Sequence, residues 1–168
     1  MSSAAAARMR IGHGFDAHRL ARGRPLWLGG VRVPSERGLE GHSDGDVLLH
    51  AVTSALLGAL GEGDLGSHFP SSDPAWQGAA SGDLLARVVE RVAARGLAVA
   101  NLDATLIAEQ PRLGPFRAAM VESIAKSLGI PVERVNVKVT STDGLGAIGR
   151  AEGIAAQAVV LLADAGDG

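Results

Sequence analysis

The chain has no cysteine. That excludes disulfides, thiol nucleophiles and cysteine-type zinc sites, leaving His, Asp and Glu as metal ligands and Ser, Thr or water as nucleophiles. Aromatic residues are scarce: two Trp, three Phe and no Tyr. Neither charge dominates, and a net charge of −2 offers no basic field for nucleic acid or anionic lipid. No apolar run approaches the roughly 20 residues that span a bilayer. The opening "MSSAAAARM" lacks the apolar stretch of a secretory signal and reads as a disordered leader over residues 1–8. These absences predict a soluble cytoplasmic protein with neither nucleic acid nor membrane as partner. What is present is 168 residues, 46% of them hydrophobic, with 23 glycines. That length suits one domain, read here as residues 9–163 with a flexible tail at 164–168, and it buries roughly 70% of its unfolded surface without staples.

Along the chain, "RPLWLGGVRVP" predicts a hairpin around Gly29-Gly30, and "PSERGLEGHSDG" a polar loop. "DVLLHAVTSALLGAL" predicts a helix with Val47, Leu48, Ala51, Ala55 and Leu56 on its apolar face, capped by Ser43 or Asp44. "GEGDLGSHFPSSDPAWQGA" carries too much Gly, Pro and Ser for regular structure. "SGDLLARVVERVAARG" predicts a helix from a Ser81 cap to a Gly96 stop. "LAVANLDATLIA" reads as a strand, and "GPFRAAMVESIAKSLG" as a helix with Pro115 in its first turn and Gly129 past its end. "VERVNVKVTST" reads as a strand with Val135, Val137 and Val139 on one face; the closing "EGIAAQAVVLLAD" fits helix or strand, and sheet pairing favours strand.

Within "GHGFDAHRL", Gly12, Gly14 and Ala17 match the G-x-G-x-x-G/A spacing of a dinucleotide turn. That turn needs a buried strand before it and a helix after it, and neither "RMRI" nor "HRLARGRP" qualifies. In an extended segment residues i and i+2 share a face, so Asp16 and His18 can converge on one ion. "GHSDGDVLLH" adds His50, an imidazole among apolar helical residues that needs a partner. Asp46, one turn earlier, is the expected acceptor behind it. Two His and one Asp with an open fourth position is the composition of a catalytic zinc site. "GHSDG" also matches a nucleophile elbow around Ser43, but it follows a polar loop and no histidine lies beyond His68. Lys138, Thr140, Ser141, Thr142 and Asp143 cluster where a strand runs into a turn, a set able to hold phosphate oxygens and a divalent ion bound to them.

In this order, "RIGHGFDAHRL", "LGGVRVP", "GHSDGDVLLHA", "GDLGSHFPSSDP", "NLDATLIAEQP", "VNVKVTSTDGLG" and "GRAEGIAAQAVVLL" resemble the 2-C-methyl-D-erythritol 2,4-cyclodiphosphate synthases. The resemblance implies an α+β subunit with a mixed sheet packed by helices, Bacillus chorismate mutase-like. It implies a homotrimer with active sites between subunits. It implies cyclisation of 4-diphosphocytidyl-2-C-methyl-D-erythritol 2-phosphate with release of CMP, as a step of the non-mevalonate isoprenoid pathway.

By the same resemblance, Asp16, His18 and His50 hold zinc, and a second ion, Mg²⁺ or Mn²⁺, sits on the diphosphate near Asp143. Asp16, Ala17, His18, His42, Ser43, Asp64, Leu65 and Gly66 contact the phosphates and methylerythritol. Phe69, Pro70, Ser71, Ser72 and Asp73 lie over the methylerythritol. Ala108, Glu109, Gln110, Pro111, Arg112, Leu113 and Gly114 form the cytidine side with Thr140. Thr142, Asp143, Ala147 and Arg150 are substrate-proximal, and Arg150 and Glu152 approach the trimer axis. His42 and Ser141 match the positions that stabilise the transition state. The chain departs from the family pattern at Asp143 (usually Glu), Ser71 (usually Asp), Ala147 (usually Phe) and Arg112 (usually Lys). Two other readings fit the same residues: a zinc phosphoesterase using water as nucleophile, and a trimeric binding module with structural metal.

Overall fold

The computed structural model of the chain describes residues 8–41, 43–70, 72–76 and 78–166. His42, Ser71 and residues 1–7 of the expected leader lie outside that set.

The chain opens with a long strand, β1 (Met9–Arg22), followed by a hairpin of β2 (Leu26–Leu28) and β3 (Val31–Val33) that turns at Gly29 and Gly30 as expected. The segment expected to be a loop instead carries a short strand, β4 (Arg37–Leu39), antiparallel to the end of β1. The polar composition hid it, because only Gly38 and Leu39 of this strand are buried. Helix α1 (Val47–Leu60) follows, then a turn of helix α2 (Leu65–His68) and a 3₁₀ turn at Pro74–Trp76 in the Gly- and Pro-rich segment. Helix α3 (Ser81–Ala94), strand β5 (Leu97–Ile107), helix α4 (Arg117–Leu128) and strand β6 (Val135–Thr140) come next. A turn of helix α5 (Gly146–Gly149) and the long strand β7 (Gly153–Asp164) complete the fold.

The main sheet has the order β4-β1-β7-β5-β6. Its β5–β6 pair is parallel and the others are antiparallel, so the sheet is mixed and the fold is α+β. The parallel pair is joined through α4, as a crossover requires. Helix α1 packs on β1 and β7, and α3 and α4 pack beside it over β5 and β6.

Helix α1 is buried around nearly its whole circumference, not along the single face expected. Two glycines of β1 make this possible. A β-carbon on Gly12 would stand 1.9 Å from the Ala55 carbonyl oxygen, and one on Gly14 2.0 Å from that of Ala51. The helix therefore rests its backbone directly on the strand, along the i, i+4, i+8 ridge of Ala51, Ala55 and Ala59. The G-x-G spacing thus serves helix–strand contact; β1 is one unbroken strand and contains no turn.

Among the described residues, the opposite face of the sheet carries no long helix. Ile11 is 73% exposed, Phe15 57% and Val159 38%, an apolar stripe that the chain itself leaves open. Along β6, Asn136, Lys138 and Thr140 point to this open face while Val135 and Val137 are buried toward the helices. Arg8 and Asp164, from opposite ends of the described chain, pair at 2.7 Å. No described helix is long and apolar enough to cross a membrane.

A candidate metal centre under alpha 1

The close seating of α1 on β1 decides where its first turn falls. Asp16 and His18 lie on the helix-facing side of β1, in register with Ala156 and Ile154 of β7. His50, in the first turn of α1, meets them there. Asp16 Oδ2 is 2.8 Å from His18 Nε2 and 3.0 Å from His50 Nδ1, and the two ring nitrogens are 3.2 Å apart. Ligands about 2.0–2.1 Å from a tetrahedral zinc ion stand about 3.3 Å from one another, so this triangle is close to the spacing that an ion imposes. Among the described residues these three form the one group of His, Asp and Glu able to share a metal.

The electrostatics agree with a site built to hold positive charge. Burial opposes ionisation of Asp16, yet hydrogen bonds from His18 and His50 overcome it and hold the carboxyl well below the usual carboxylate range. The hydrogen bond to Asp16 pushes His18 up, against partial burial, with further support from the backbone of Glu40. A cation placed between these groups takes over the role that protons on the imidazoles play without it.

The residues behind the triangle differ from expectation. Asp46 is not the acceptor for His50. Its buried carboxylate is the N-cap of α1, taking the Leu49 N–H at 3.0 Å, and it also accepts from Gly29 N at 2.8 Å and Gly30 N at 2.7 Å. It thereby ties the β2–β3 turn to the helix start, and neither Ser43 nor Asp44 caps α1. Burial pushes the Asp46 carboxyl up, opposed by those three backbone donors. His50 Nε2 instead faces Ser81 Oγ at 2.9 Å and Ser43 Oγ at 3.1 Å. Ser81 is the first residue of α3 rather than its cap, which is Ala80.

Asp16, His18, Ser43 and His50 line a cleft of about 200 Å³ with Gly41, Leu65, Phe69, Trp76 and Leu84. Arg24 braces its rim by donating to the carbonyls of Gly41 at 3.3 Å and Ser43 at 3.2 Å. The apolar wall is organised by Trp76, which meets Phe69 edge-on at 5.0 Å and carries the Arg87 guanidinium 5.1 Å from its ring centre. Asp64 caps α2 through Ser67 N at 2.8 Å, and Asp73 accepts from Ala75 N at 2.9 Å, so both shape this loop. Sequence reasoning missed Trp76, Leu84 and Ser81. A tryptophan inside a Gly- and Ser-rich loop, in a chain with only two, was the available signal for the first.

The remaining expected residues lie elsewhere. Gln110, Pro111 and Arg112 line a separate groove of about 470 Å³ with Leu20, Ser35, Glu36 and Arg37. The Gln110–Pro111 peptide is cis. Ala108 N donates to Thr140 O at 3.0 Å, which joins this segment to the end of β6. Glu109 Oε2 is buried with no hydrogen-bond partner among the described residues. Ser141 Oγ donates to Asp143 Oδ1 at 3.2 Å, and Asp143 sits at φ 51° in the left-handed region. Arg150 pairs with Glu152 at 2.6 Å. Three strand steps separate β1 from β6, about 14 Å at the usual spacing, and Thr140 faces the open side of the sheet. The Asp16–His18–His50 triangle and the Thr140–Asp143 cluster therefore do not meet within the chain.

Comparison with known proteins agrees along nearly the whole chain. The sequence profile of the YgbB family matches residues 9–163. The bifunctional enzyme IspD/IspF of Sphingopyxis alaskensis is 57% identical over 155 residues, covering 92% of this chain, which spans only 40% of that relative. The 2-C-methyl-D-erythritol 2,4-cyclodiphosphate synthase of Trichlorobacter lovleyi is 56% identical over 154 residues, covering 92% of this chain and 98% of the relative. A solved 2C-methyl-D-erythritol-2,4-cyclodiphosphate synthase in a CDP-bound form superposes with a TM-score of 0.84 at 42% identity, over 91% of this chain and 99% of that one. With a matching mixed sheet, an Asp-His-His triangle at the expected residues and identity of this extent, the chain belongs to the YgbB family.

Proposed function

We propose that residues 9–163 act as one domain that converts 4-diphosphocytidyl-2-C-methyl-D-erythritol 2-phosphate to 2-C-methyl-D-erythritol 2,4-cyclodiphosphate and CMP. The chain is a lyase of the non-mevalonate isoprenoid pathway. The observation that carries this reading is the Asp16–His18–His50 triangle lining a cleft in a chain whose residues 9–163 match the family. In the reaction, an oxygen of the substrate's own 2-phosphate bonds to the β-phosphorus. The bond from that phosphorus to the bridging oxygen breaks, and CMP leaves with the electron pair. No protein nucleophile is needed, which suits a chain without cysteine and with its elbow-like Ser43 in a loop.

The residue set of the triangle favours zinc, which would withdraw charge from the β-phosphate when bound, and Asp143 would help hold a Mg²⁺ or Mn²⁺ ion whose charge would neutralise the diphosphate. The chain's own residues do the positioning, which is most of what such a transfer requires. Ser43 and His42 hold phosphate oxygens, Leu65 and Phe69 wall the methylerythritol, and Ala108 to Gly114 with Thr140 hold the cytidine. His42 and Ser141 stabilise the transition state.

Two observations support a homotrimer with interfacial sites and a Bacillus chorismate mutase-like subunit arrangement. The metal triangle lies on the helix side of the sheet and Thr140 on its open side three strands away, which supports a second copy bringing the two parts together. The stripe of Ile11, Phe15 and Val159 leaves an apolar sheet face to be covered.

Phosphorus NMR of the enzyme with substrate tests the activity. Cyclic diphosphate and CMP are expected. Inorganic phosphate or an open-chain product would instead identify a zinc phosphoesterase.

A further inference from the structure

His50 turns Nδ1 to the triangle and Nε2 the other way, toward two hydroxyls. Ser81 Oγ lies at 2.9 Å and Ser43 Oγ at 3.1 Å. With Nδ1 given to an ion, the single ring proton sits on Nε2 and has two acceptors to choose between. They are not equivalent. Ser81 is fully buried at 0% exposure, and its own hydroxyl proton goes to Asp44 Oδ1. Asp44 Oδ2 also accepts Ser81 N at 3.1 Å, and Oδ1 accepts Asp46 N at 3.1 Å. The proton of Ser81 is thus committed and its lone pair is presented to the imidazole. Ser43 borders the cleft, and its oxygen already accepts from Gly45 N at 3.2 Å.

We propose that Ser81, oriented by Asp44, is the positioning residue that fixes His50 as a metal ligand, leaving Ser43 to the molecule in the cleft. This rests on the reading of Asp16, His18 and His50 as a metal centre. The same carboxylate has a second effect. Ala80 provides no side-chain cap for α3, and Asp44, from a distant loop, takes the Ser81 N–H in its place. The first turn of α3 carries Leu84 into the cleft wall. Metal occupancy and order in that wall are therefore coupled through Asp44 and Ser81, and the coupling is reciprocal.

The test is zinc affinity by competition with a chromophoric chelator, without substrate. Ser81→Ala and Asp44→Asn are each expected to weaken zinc by about 10–100-fold, the usual cost of losing a partner behind a ligand. Ser43→Ala should stay within about threefold of the parent on the same scale. The Ser81→Ala/Asp44→Asn pair should lose less than the sum of the two single losses, because both act on His50 through the Ser81 hydroxyl. In zinc-loaded protein, the His50 Nε2–H proton should exchange slowly by ¹⁵N-edited NMR, persist in Ser43→Ala and be lost in Ser81→Ala. If Ser81→Ala fails to fold by circular dichroism, Asp44→Asn, a near-isosteric change, decides. Zinc binding by both variants within about threefold of the parent, or an equal loss in Ser43→Ala, overturns the proposal. Full zinc content in His50→Ala would overturn the metal centre itself, whereas zinc lost there but retained in Ser81→Ala would remove only the role of Ser81.

Discussion

Gly14 of β1 lies against the backbone of Ala51 in α1, where a β-carbon would stand 2.0 Å from the Ala51 carbonyl oxygen and 2.7 Å from the Ala55 nitrogen. Both obstacles are main chain, so no side chain can swing away and the helix itself must move. Gly14→Ala is expected to cost about 3 kcal/mol or more, the upper end for overpacking. It should also weaken zinc, because His50 rides on the displaced helix. Urea unfolding and a zinc titration check both parts; an unchanged midpoint would contradict the contact.

The pH dependence of metal binding follows from His18. Its hydrogen bond to Asp16 raises its pKa above the ordinary value of about 6.5. Zinc needs the neutral ring, so affinity should be level above the raised pKa and fall as pH drops through it. Without metal the sign reverses. Because the folded value lies above the unfolded one, the pair contributes stability below about pH 6.5, and that contribution is lost as pH rises through the folded value. Zinc titrations across this range, paired with unfolding of metal-free protein, should show opposite slopes.

The proposed assembly can be tested on the open sheet face. Ile11→Glu places a charge at one end of the exposed apolar stripe, far along β1 from Asp16 and His18. The expected result by light scattering is a smaller species that keeps zinc and loses turnover. A variant that is monomeric and fully active would remove the case for interfacial sites.

Asp143 tests the second ion. At φ 51° its backbone is one that Asn adopts readily, so Asp143→Asn removes the charge with little strain. Mg²⁺ or Mn²⁺ dependence and turnover should weaken while zinc stays bound. Asp143→Glu should retain activity, since it keeps the carboxylate. A Mg²⁺ titration of Asp143→Asn identical to the parent's would reduce Asp143 to a turn residue.

Periodicity made most long elements legible: α1, α3, α4, β5 and β6 fall where the apolar spacing and the Gly129 stop put them, while the apolar run of β7 fits helix or strand and only sheet pairing favours strand. The candidate metal group was legible too, because Asp16 and His18 share a strand face and His50 is an isolated imidazole in an apolar helix. What escaped depends on partners distant in sequence. Asp46 caps α1 because Gly29 and Gly30 also converge on its carboxylate. Strand β4 pairs with β1 through a stretch whose composition is that of a loop. Ser81 reads locally as a helix cap, and only the tertiary approach of Asp44 and His50 gives it another task. No local pattern encodes a contact across 31 residues.

The first and last strands pair side by side from Met9–Ala163 onward, and Arg8 grips Asp164 at that end. The two ends of the domain thus leave from one spot. Asp16 lies seven residues farther along β1, about 23 Å away at the usual rise. A second domain tethered at either end would stand clear of the cleft, and a short linker joining the two ends would close the backbone into a ring. The domain should therefore accept both fusion and circular permutation without disturbing its metal ligands.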